Sequence, residues 1–167
     1  MYKKINLVML AFTAMLLTQC KDDNSSPLLD ALIAPKVSLT FATENNTFSF
    51  SEVKTTNDDA NPTYIDLNGN LTKDVGEELE ALKEYRASTK NVTIFGHINS
   101  LILTGQKSLT TIEVQNRFIQ TLKATNCISL TDCKILKANS LKVIDISGSE
   151  SVENIELSTN ENFIKEL

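Results

Sequence analysis

The sequence has 167 residues and a formal net charge of −5 at pH 7, with 21 acidic side chains against 16 basic ones. Trp is absent and aromatic residues make up 6% of the chain, whereas Leu, Ile, Thr, Ser and Asn dominate its second half. The charge balance offers no basic patch of the kind that nucleic-acid binding requires. The composition favours short strands and turns over a helical bundle.

The first nineteen residues have the pattern of a secretory signal. Lys3 and Lys4 form a short basic start, and the apolar run from Leu7 to Leu17 is too short to span a bilayer stably. The tetrapeptide that ends at Cys20 resembles the lipobox of bacterial lipoproteins, in which the Cys is diacylated and the chain is cut before it. The resemblance implies that Cys20 is the lipidated first residue, anchored by several acyl chains. The alternative is an ordinary signal peptide with an incidental Cys.

The residues after Cys20 suggest where the protein is displayed. Lys21-Asp22-Asp23 resembles the surface-export tag of Bacteroidota-type lipoproteins, which implies the outer face of the outer membrane. The alternative is a solvated polar tether, and residues 20–34 are predicted as lipidated Cys and tether in either case.

Residues 35–97 are predicted to form a small β-rich module. The stretch from Gly76 to Ser88 fits either a short helix or an irregular strand pair, and the polar stretch from Ala42 to Asn46 suits a turn. We expect this module to cap the N-terminal end of a repeat array over residues 98–167, because an uncapped array exposes its core. The predicted strands are Val37–Phe41, Thr47–Ser51, Tyr64–Leu67 and Val92–Phe95.

From residue 98 the phrase apolar-x-x-apolar-x-apolar recurs, each time followed by a polar turn. This spacing fits a strand better than an amphipathic helix. One phrase cannot bury its own apolar side, so we expect stacked phrases to bury a continuous column, with two phrases of about 21 or 22 residues in each coil. Phe163 would open a further phrase. The six phrases start at Ile98, Leu109, Ile119, Leu130, Leu141 and Val152.

Three of these phrases, Leu109–Val114, Leu141–Ser147 and Val152–Ser158, resemble the repeats of internalin-J-like leucine-rich-repeat surface proteins. Tyr64–Asn70 and Val92–His97 resemble segments that precede the repeats in that family. The resemblance implies a mainly β fold in which the cap module is followed, over residues 98–167, by a short leucine-rich-repeat solenoid with short parallel strands.

The chain departs from the family pattern in its turns. The ninth place of each phrase should hold Asn or Cys, whose side chains satisfy the backbone groups of the turns, and only Cys127 and Asn160 fit. The Asn ladder is therefore predicted to be mostly missing. The residues at that place are Gln106, Arg117, Cys127, Ala138, Ser149 and Asn160.

The segment from Asp66 to Glu77 has the ligand spacing of a calcium loop, and we expect no cofactor unless this loop binds calcium. Oxygen-bearing side chains occupy positions one, three, five, nine and twelve, and a backbone carbonyl is available at seven. Against this, Leu71 stands at position six, where Gly is wanted, and Asn68-Gly69 is by itself a hairpin signal. The predicted ligands are Asp66, Asn68, Asn70, Thr72, Asp74 and Glu77.

Catalysis is not expected. His97 is the only histidine in the sequence, and a lone His cannot form a multi-His zinc site. Cys133 falls at a core position of its phrase, and Cys127 falls in a turn. We predict two buried, reduced thiols, with a disulfide as the alternative because six residues of chain could close one only through a sharp turn.

The family resemblance implies protein–protein contact or adhesion at the cell surface. The alternative is an accessory carbohydrate-recognition or structural lipoprotein, ranked lower because glycan binders usually present aromatic platforms. One predicted face shows Asn99, Ser100, Ile102, Gln120, Thr121, Lys123, Lys142, Val143 and Asp145. The other, more acidic face shows Thr110, Thr111, Glu113, Thr131, Asp132, Lys134, Glu153, Asn154 and Glu156.

Overall fold

The computed structural model of the protein describes residues 34–56 and 62–158. The predictions for the signal peptide, for Cys20 and for the export tag lie outside the described residues. The described part contains no helix and twelve strands, which confirms a mainly β fold. The strands are β1 Lys36–Phe41, β2 Thr47–Phe48, β3 Glu52–Thr55, β4 Tyr64–Asp66, β5 Tyr85–Arg86, β6 Asn91–Phe95, β7 Ile98–Thr104, β8 Leu109–Gln115, β9 Thr121–Thr125, β10 Asp132–Ile135, β11 Val143–Asp145 and β12 Asn154–Leu157.

The strands form two main sheets and one short ribbon. A large sheet has the order β12-β10-β8-β1-β6-β4, and a small sheet has the order β11-β9-β7-β3. Strands β2 and β5 pair as the separate ribbon. From β7 onward, successive strands alternate between the small and the large sheet. The six phrases predicted from the sequence are therefore six strands, distributed in turn over two sheets.

Strands of the same sheet run parallel and in register from one repeat to the next. In the small sheet Leu122 is paired with both Leu101 and Ile144, and in the large sheet Cys133 is paired with both Ile112 and Ile155. Two phrases thus make one structural unit, as the spacing predicted. The first unit is β7–β8, the second is β9–β10 and the third is β11–β12.

The residues before the units add antiparallel strands at one end of both sheets. Strand β1 lies between β8 and β6, with Leu39 facing both Ile112 and Val92 in register. Strand β3 pairs antiparallel with β7 in the small sheet. Because β1 and β3 run antiparallel to β8 and β7, the series of parallel strands ends at the first unit. Strands β1 and β3 cover the edges of that unit.

The stretch from Gly76 to Ser88 holds no helix, so the helical alternative was wrong. Leu82 has φ +61°, a left-handed conformation that interrupts any α-helix. The hydroxyl of Tyr85 also takes the hydrogen bonds that helical turns would make, since it accepts from the Glu80 N–H (2.6 Å) and donates to the Glu78 carbonyl (2.8 Å). The segment is a series of turns that ends in β5.

One apolar core runs through the described part of the chain. The inward residues of the first two units are fully buried, as are Val37, Leu39 and Ile94 of the preceding strands. Burial declines in the third unit, where Ile155 is 49% exposed and Ile144 is half-buried. Alternating apolar residues therefore fill the column wherever another unit or the antiparallel strands cover it.

The turn after β8 contains a buried Asn that the count of ninth places missed. Arg117, predicted at the ninth place, is exposed, and Asn116 is fully buried in its stead. Its side chain donates to the Gly96 carbonyl at 2.8 Å and accepts from the Phe118 N–H at 3.2 Å. Counting from a fixed phrase start missed Asn116 because the step from Leu109 to Ile119 is ten residues, so the buried place falls one residue earlier.

In the turns after β9 and β11, the buried side chain that bonds the turn backbone is a Ser. Ser149 is buried, and its hydroxyl accepts from the Cys127 N–H (3.0 Å) and donates to the Ala124 carbonyl (2.7 Å). In the turn after β7, the side-chain amide of Gln106 donates to the carbonyl of Thr104 at 3.0 Å and to that of Ser49 at 3.2 Å. Hydroxyl and amide side chains other than Asn thus satisfy these turn backbones.

Candidate functional site

The predicted binding residues lie on the outer face of the small sheet. Ile102, Lys123 and Asp145 form one row across β7, β9 and β11, and Ser100, Thr121 and Val143 form the next. At the start of the same strands the backbones of Asn99, Gln120 and Lys142 are joined by hydrogen bonds of 2.8 Å. Because the strands are parallel and in register, neighbouring side chains along a row are about 4.8 Å apart.

Strand β3 extends this face with two residues that the sequence analysis missed. Glu52 continues the row of Ile102, and Lys54 continues the row of Ser100. The alternation of Glu52, Val53 and Lys54 was the available signal, but pairing between β3 and β7 joins segments that are distant in sequence. The full outer face of the small sheet, called the β3–β11 face below, comprises Glu52, Lys54, Asn99, Ser100, Ile102, Gln120, Thr121, Lys123, Lys142, Val143 and Asp145.

Ser100 differs from its prediction, since it is 5% exposed and does not present a free hydroxyl. Its Oγ donates to Glu52 Oε1 at 2.7 Å, and Lys54 Nζ lies 3.0 Å from Glu52 Oε2. The hydrogen bond from Ser100, followed by that from Lys54, lowers the pKa of Glu52. Glu52 is therefore a fixed negative charge at neutral pH.

The charges along the β3–β11 face alternate in sign. Lys123 Nζ lies 3.4 Å from Asp145 Oδ2, and hydrogen bonds from Ser147 lower the pKa of Asp145. The ammonium group of Lys142 donates to Gln120 Oε1 at 3.3 Å on this face. Between the charges, Ile102 is half-buried and Val143 is 41% exposed. The face therefore combines fixed charges and amides with partly accessible aliphatic groups.

The outer face of the large sheet has a different character. Thr40, Thr111, Asp132 and Asn154 form a row by register, and Asp132 accepts from both Thr131 (2.6 Å) and Asn154 (3.0 Å). These two hydrogen bonds lower the pKa of Asp132. The outer positions of β8, β10 and β12 are all polar or charged, namely Thr111, Glu113, Gln115, Asp132, Lys134, Asn154 and Glu156.

The six residues of the predicted calcium loop come together in one turn-rich segment. Asp66 and Glu77 are buried. Asp66 Oδ1 accepts from the Gly69 N–H (2.7 Å), its Oδ2 accepts from the Leu71 N–H (2.9 Å), and Glu77 accepts from the N–H groups of Leu67 (2.8 Å) and Asp74 (2.9 Å). The two buried carboxylates thus organise the loop backbone.

The carboxylate of Asp74 accepts hydrogen bonds from two side-chain amides of the same loop. Its Oδ2 accepts from the side-chain amides of Asn68 (2.8 Å) and Asn70 (2.7 Å), while Asn70 Oδ1 accepts from the Thr72 N–H (2.9 Å). Leu71 has φ +62°, so position six takes the left-handed conformation for which Gly is usual. Among the described residues there is no group of three or more His, Cys, Asp or Glu side chains placed to hold a metal. Calcium binding stays a prediction.

Both predicted thiols are buried. Cys127 and Cys133 are unpaired in the described chain, which agrees with the prediction of reduced cysteines. Burial raises the pKa of Cys127, and it raises the pKa of Cys133 to about 11. A buried thiol with a raised pKa is a poor nucleophile because the thiolate is the reactive form.

His97 lies in the corner before β7 and packs on an aromatic ring. Its ring centroid is 3.8 Å from that of Phe118, and the guanidinium of Arg117 lies 4.8 Å from the Phe118 centroid. The stack of His97, Phe118 and Arg117 covers the corner between β6 and β7.

The sequence matches no protein-family model, and comparison with curated proteins and with solved structures finds no significant match. In the described ranges, no helix has the length and apolar character needed to cross a bilayer.

Proposed function

We propose that the protein is a surface-exposed, lipid-anchored binding or adhesion protein of the internalin-J-like leucine-rich-repeat type. Support comes from two-strand units repeated at 21 or 22 residues, with parallel strands in register. The lipobox-like sequence at Cys20 and the tag Lys21–Asp23 support an anchor on the outer membrane and display at the cell surface.

The observation that carries the proposal is the row structure of the β3–β11 face. Repeated units hold side chains at fixed intervals, so a partner can bind without ordering a flexible surface first. Ile102 and Val143 supply aliphatic area, and Lys123, Lys142 and Asp145 supply charge around them. We infer a protein partner whose surface carries complementary charges.

The large sheet is the weaker candidate for this role. The outer positions of β8, β10 and β12 carry no aliphatic side chain, and Asp132 already accepts two hydrogen bonds from its own chain. Protein interfaces combine apolar contact area with polar groups, and the β3–β11 face offers Ile102 and Val143 beside its polar side chains.

The chain offers a matched pair of variants to test the face. Lys123 lies on β9 and Lys134 on β10, so each is a half-buried lysine of the second unit and the two lie on opposite outer faces. Lys123→Glu should remove proteins that the wild-type mature chain captures from cell surfaces, whereas Lys134→Glu should retain them. The readout is quantitative mass spectrometry of cross-linked captures.

Two results would contradict the proposal. Capture that persists in Lys123→Glu and is lost in Lys134→Glu would move the site to the large sheet. Specific binding on a glycan array, without any captured protein, would favour the carbohydrate alternative.

The anchor is tested separately. Cys20→Ala should abolish incorporation of a palmitate analogue and release the protein from membranes, because the acyl chains supply the membrane affinity. Equal labelling of wild type and variant would refute the lipobox. Replacement of Lys21, Asp22 and Asp23 by Ala should keep the lipid and lose protease accessibility on intact cells.

A further inference from the structure

Asn68-Gly69 is the one Asn-Gly pair in the sequence, and both residues are exposed in the loop Asp66–Glu77. An Asn followed by Gly is the pair most prone to spontaneous deamidation, because Gly has no side chain to shield its backbone nitrogen. That nitrogen attacks Cγ of the Asn to form a succinimide, and the side-chain nitrogen leaves as ammonia. Water then opens the ring to Asp or isoaspartate, so water is the only other reactant.

In the structure, a carboxylate holds the nitrogen that would attack. The Gly69 N–H donates to Oδ1 of the buried Asp66 at 2.7 Å. The other oxygen of this carboxylate accepts from the Leu71 N–H at 2.9 Å, which fixes its position in the loop. The attack requires the Gly69 nitrogen to lose its proton, and a carboxylate bonded to that N–H opposes a second negative charge beside it. Asp66 therefore suppresses the nucleophile.

The side-chain amide that would be attacked is held as well. Asn68 Nδ2 donates to Asp74 Oδ2 at 2.8 Å, and Asn68 Oδ1 accepts from the Asn70 N–H at 2.9 Å. The reaction joins Cγ of this amide to the Gly69 nitrogen and removes Nδ2 as ammonia, so the bond to Asp74 is lost. Both reacting groups thus have other partners as long as the loop keeps this structure.

We propose that Asn68 is a deamidation site that the closed loop protects, and that it reacts in molecules whose loop has opened. Opening releases the Gly69 N–H from Asp66 and the Asn68 amide from Asp74. The product, Asp or isoaspartate, has no side-chain N–H to donate to Asp74 and places a second carboxylate beside it. Because like charges at this distance repel, the loop cannot close again in its first form. Deamidation is therefore a permanent mark of loop opening.

The test measures deamidation at Asn68 by mass spectrometry, in the mature chain carrying Cys20→Ser and with a calcium chelator present. The native chain should react about tenfold or more slowly than the same chain in urea, and this factor should match the hydrogen-exchange protection of the Gly69 amide, because both reactions need the same opening. Asp66→Asn should raise the native rate about tenfold or more, since it removes the charge that holds the N–H. Asp132→Asn is the matched control, because Asp132 also accepts two hydrogen bonds but lies on the large sheet.

Equal rates in native buffer and in urea would overturn the proposal, and this comparison needs no variant. So would an Asp66→Asn chain that keeps the hydrogen-exchange protection of β8 and still deamidates at the wild-type rate.

A further variant, Asn68→Asp, reproduces the product of the reaction. The amides of Gly69 and Leu71 should exchange about tenfold or more faster in it than in the wild type, because the hydrogen bond to Asp74 is replaced by repulsion. Asn139→Asp places the same charge on an exposed residue between β10 and β11 and should leave these amides unchanged. Unchanged exchange in Asn68→Asp would show that the loop closes after deamidation and would refute the permanent mark. None of these readouts depends on the proposed binding function.

Discussion

Asn116 holds the carbonyl oxygen of Gly96 through its buried side-chain amide, at 2.8 Å. The bond joins the corner before β7 to the corner after β8, and the same side chain accepts from the Phe118 N–H. One residue thus fixes both ends of the first unit on the side where the antiparallel strands join it.

Asn116→Ala is predicted to lower the free energy of unfolding by about 2–4 kcal/mol, because a buried carbonyl and an N–H would both lose their partner. Asn91→Ala is the control: its Oδ1 accepts from Thr40 at 3.1 Å, but the residue is exposed, so we expect a loss within about 0.5 kcal/mol. Urea denaturation measures both. Equal stability of the two variants would show that Asn116 is replaceable by water.

Gly96 and Gly105 are predicted to respond differently to the same substitution. Both have positive φ, at +101° and +67°, so an added Cβ strains either backbone. A Cβ on Gly96 would also lie 2.8 Å from the Cα of Thr63, whereas at Gly105 it meets nothing within 4 Å. Gly105→Ala should cost about 1 kcal/mol and Gly96→Ala several times as much. Thermal unfolding with indistinguishable midpoints would contradict this.

The raised pKa of Cys133 predicts a stability change at alkaline pH. The unfolded chain releases the thiol proton near the ordinary value of 9.0, while the folded chain holds it to about 11. Stability should therefore be fully present below pH 9 and fall as the pH rises from 9 to 11. Cys133→Ala should flatten this fall. An equally steep decline in the variant would assign the effect to other groups.

Thiol titration checks the state of both cysteines. With Cys20 replaced, two thiols should react only after denaturation, in the absence of reductant, because Cys127 and Cys133 are both buried. A denatured chain without reactive thiols would reveal a disulfide that the described structure does not have.

The Asp66–Glu77 loop is predicted to bind calcium weakly, in the range of about 0.1–1 mM that is usual for extracellular modules. Binding requires Asn68 and Asn70 to turn their amide oxygens toward the ion in place of the nitrogens that now contact Asp74. Calcium should raise the unfolding midpoint of the wild type and of Asp145→Asn, but not of Asp74→Asn. An unfolding midpoint of the wild type that does not change with calcium would contradict this prediction.

The inward positions of β7 to β10 were predictable because each apolar residue of the repeated phrase marks a side chain that is buried on folding. The position of β1 between β8 and β6 was not, since alternation shows which face of a strand is apolar without showing its neighbours. For the same reason Glu52 and Lys54 were missed, and Ser100 was expected to be accessible although Glu52 covers it. Asn116 was missed because a single ten-residue step shifts the buried place.

Alternation between two sheets also constrains how such a chain can change length. Inserting one eleven-residue phrase after β9 would send every later strand to the opposite sheet. Lys142 and Asp145 would then leave the side that displays Lys123, and Asn154 and Glu156 would arrive there. Inserting two phrases would lengthen each row by one side chain and leave its composition elsewhere intact. A longer or shorter relative of this chain could therefore keep the same surface only if it differs by an even number of phrases, whatever the difference in length.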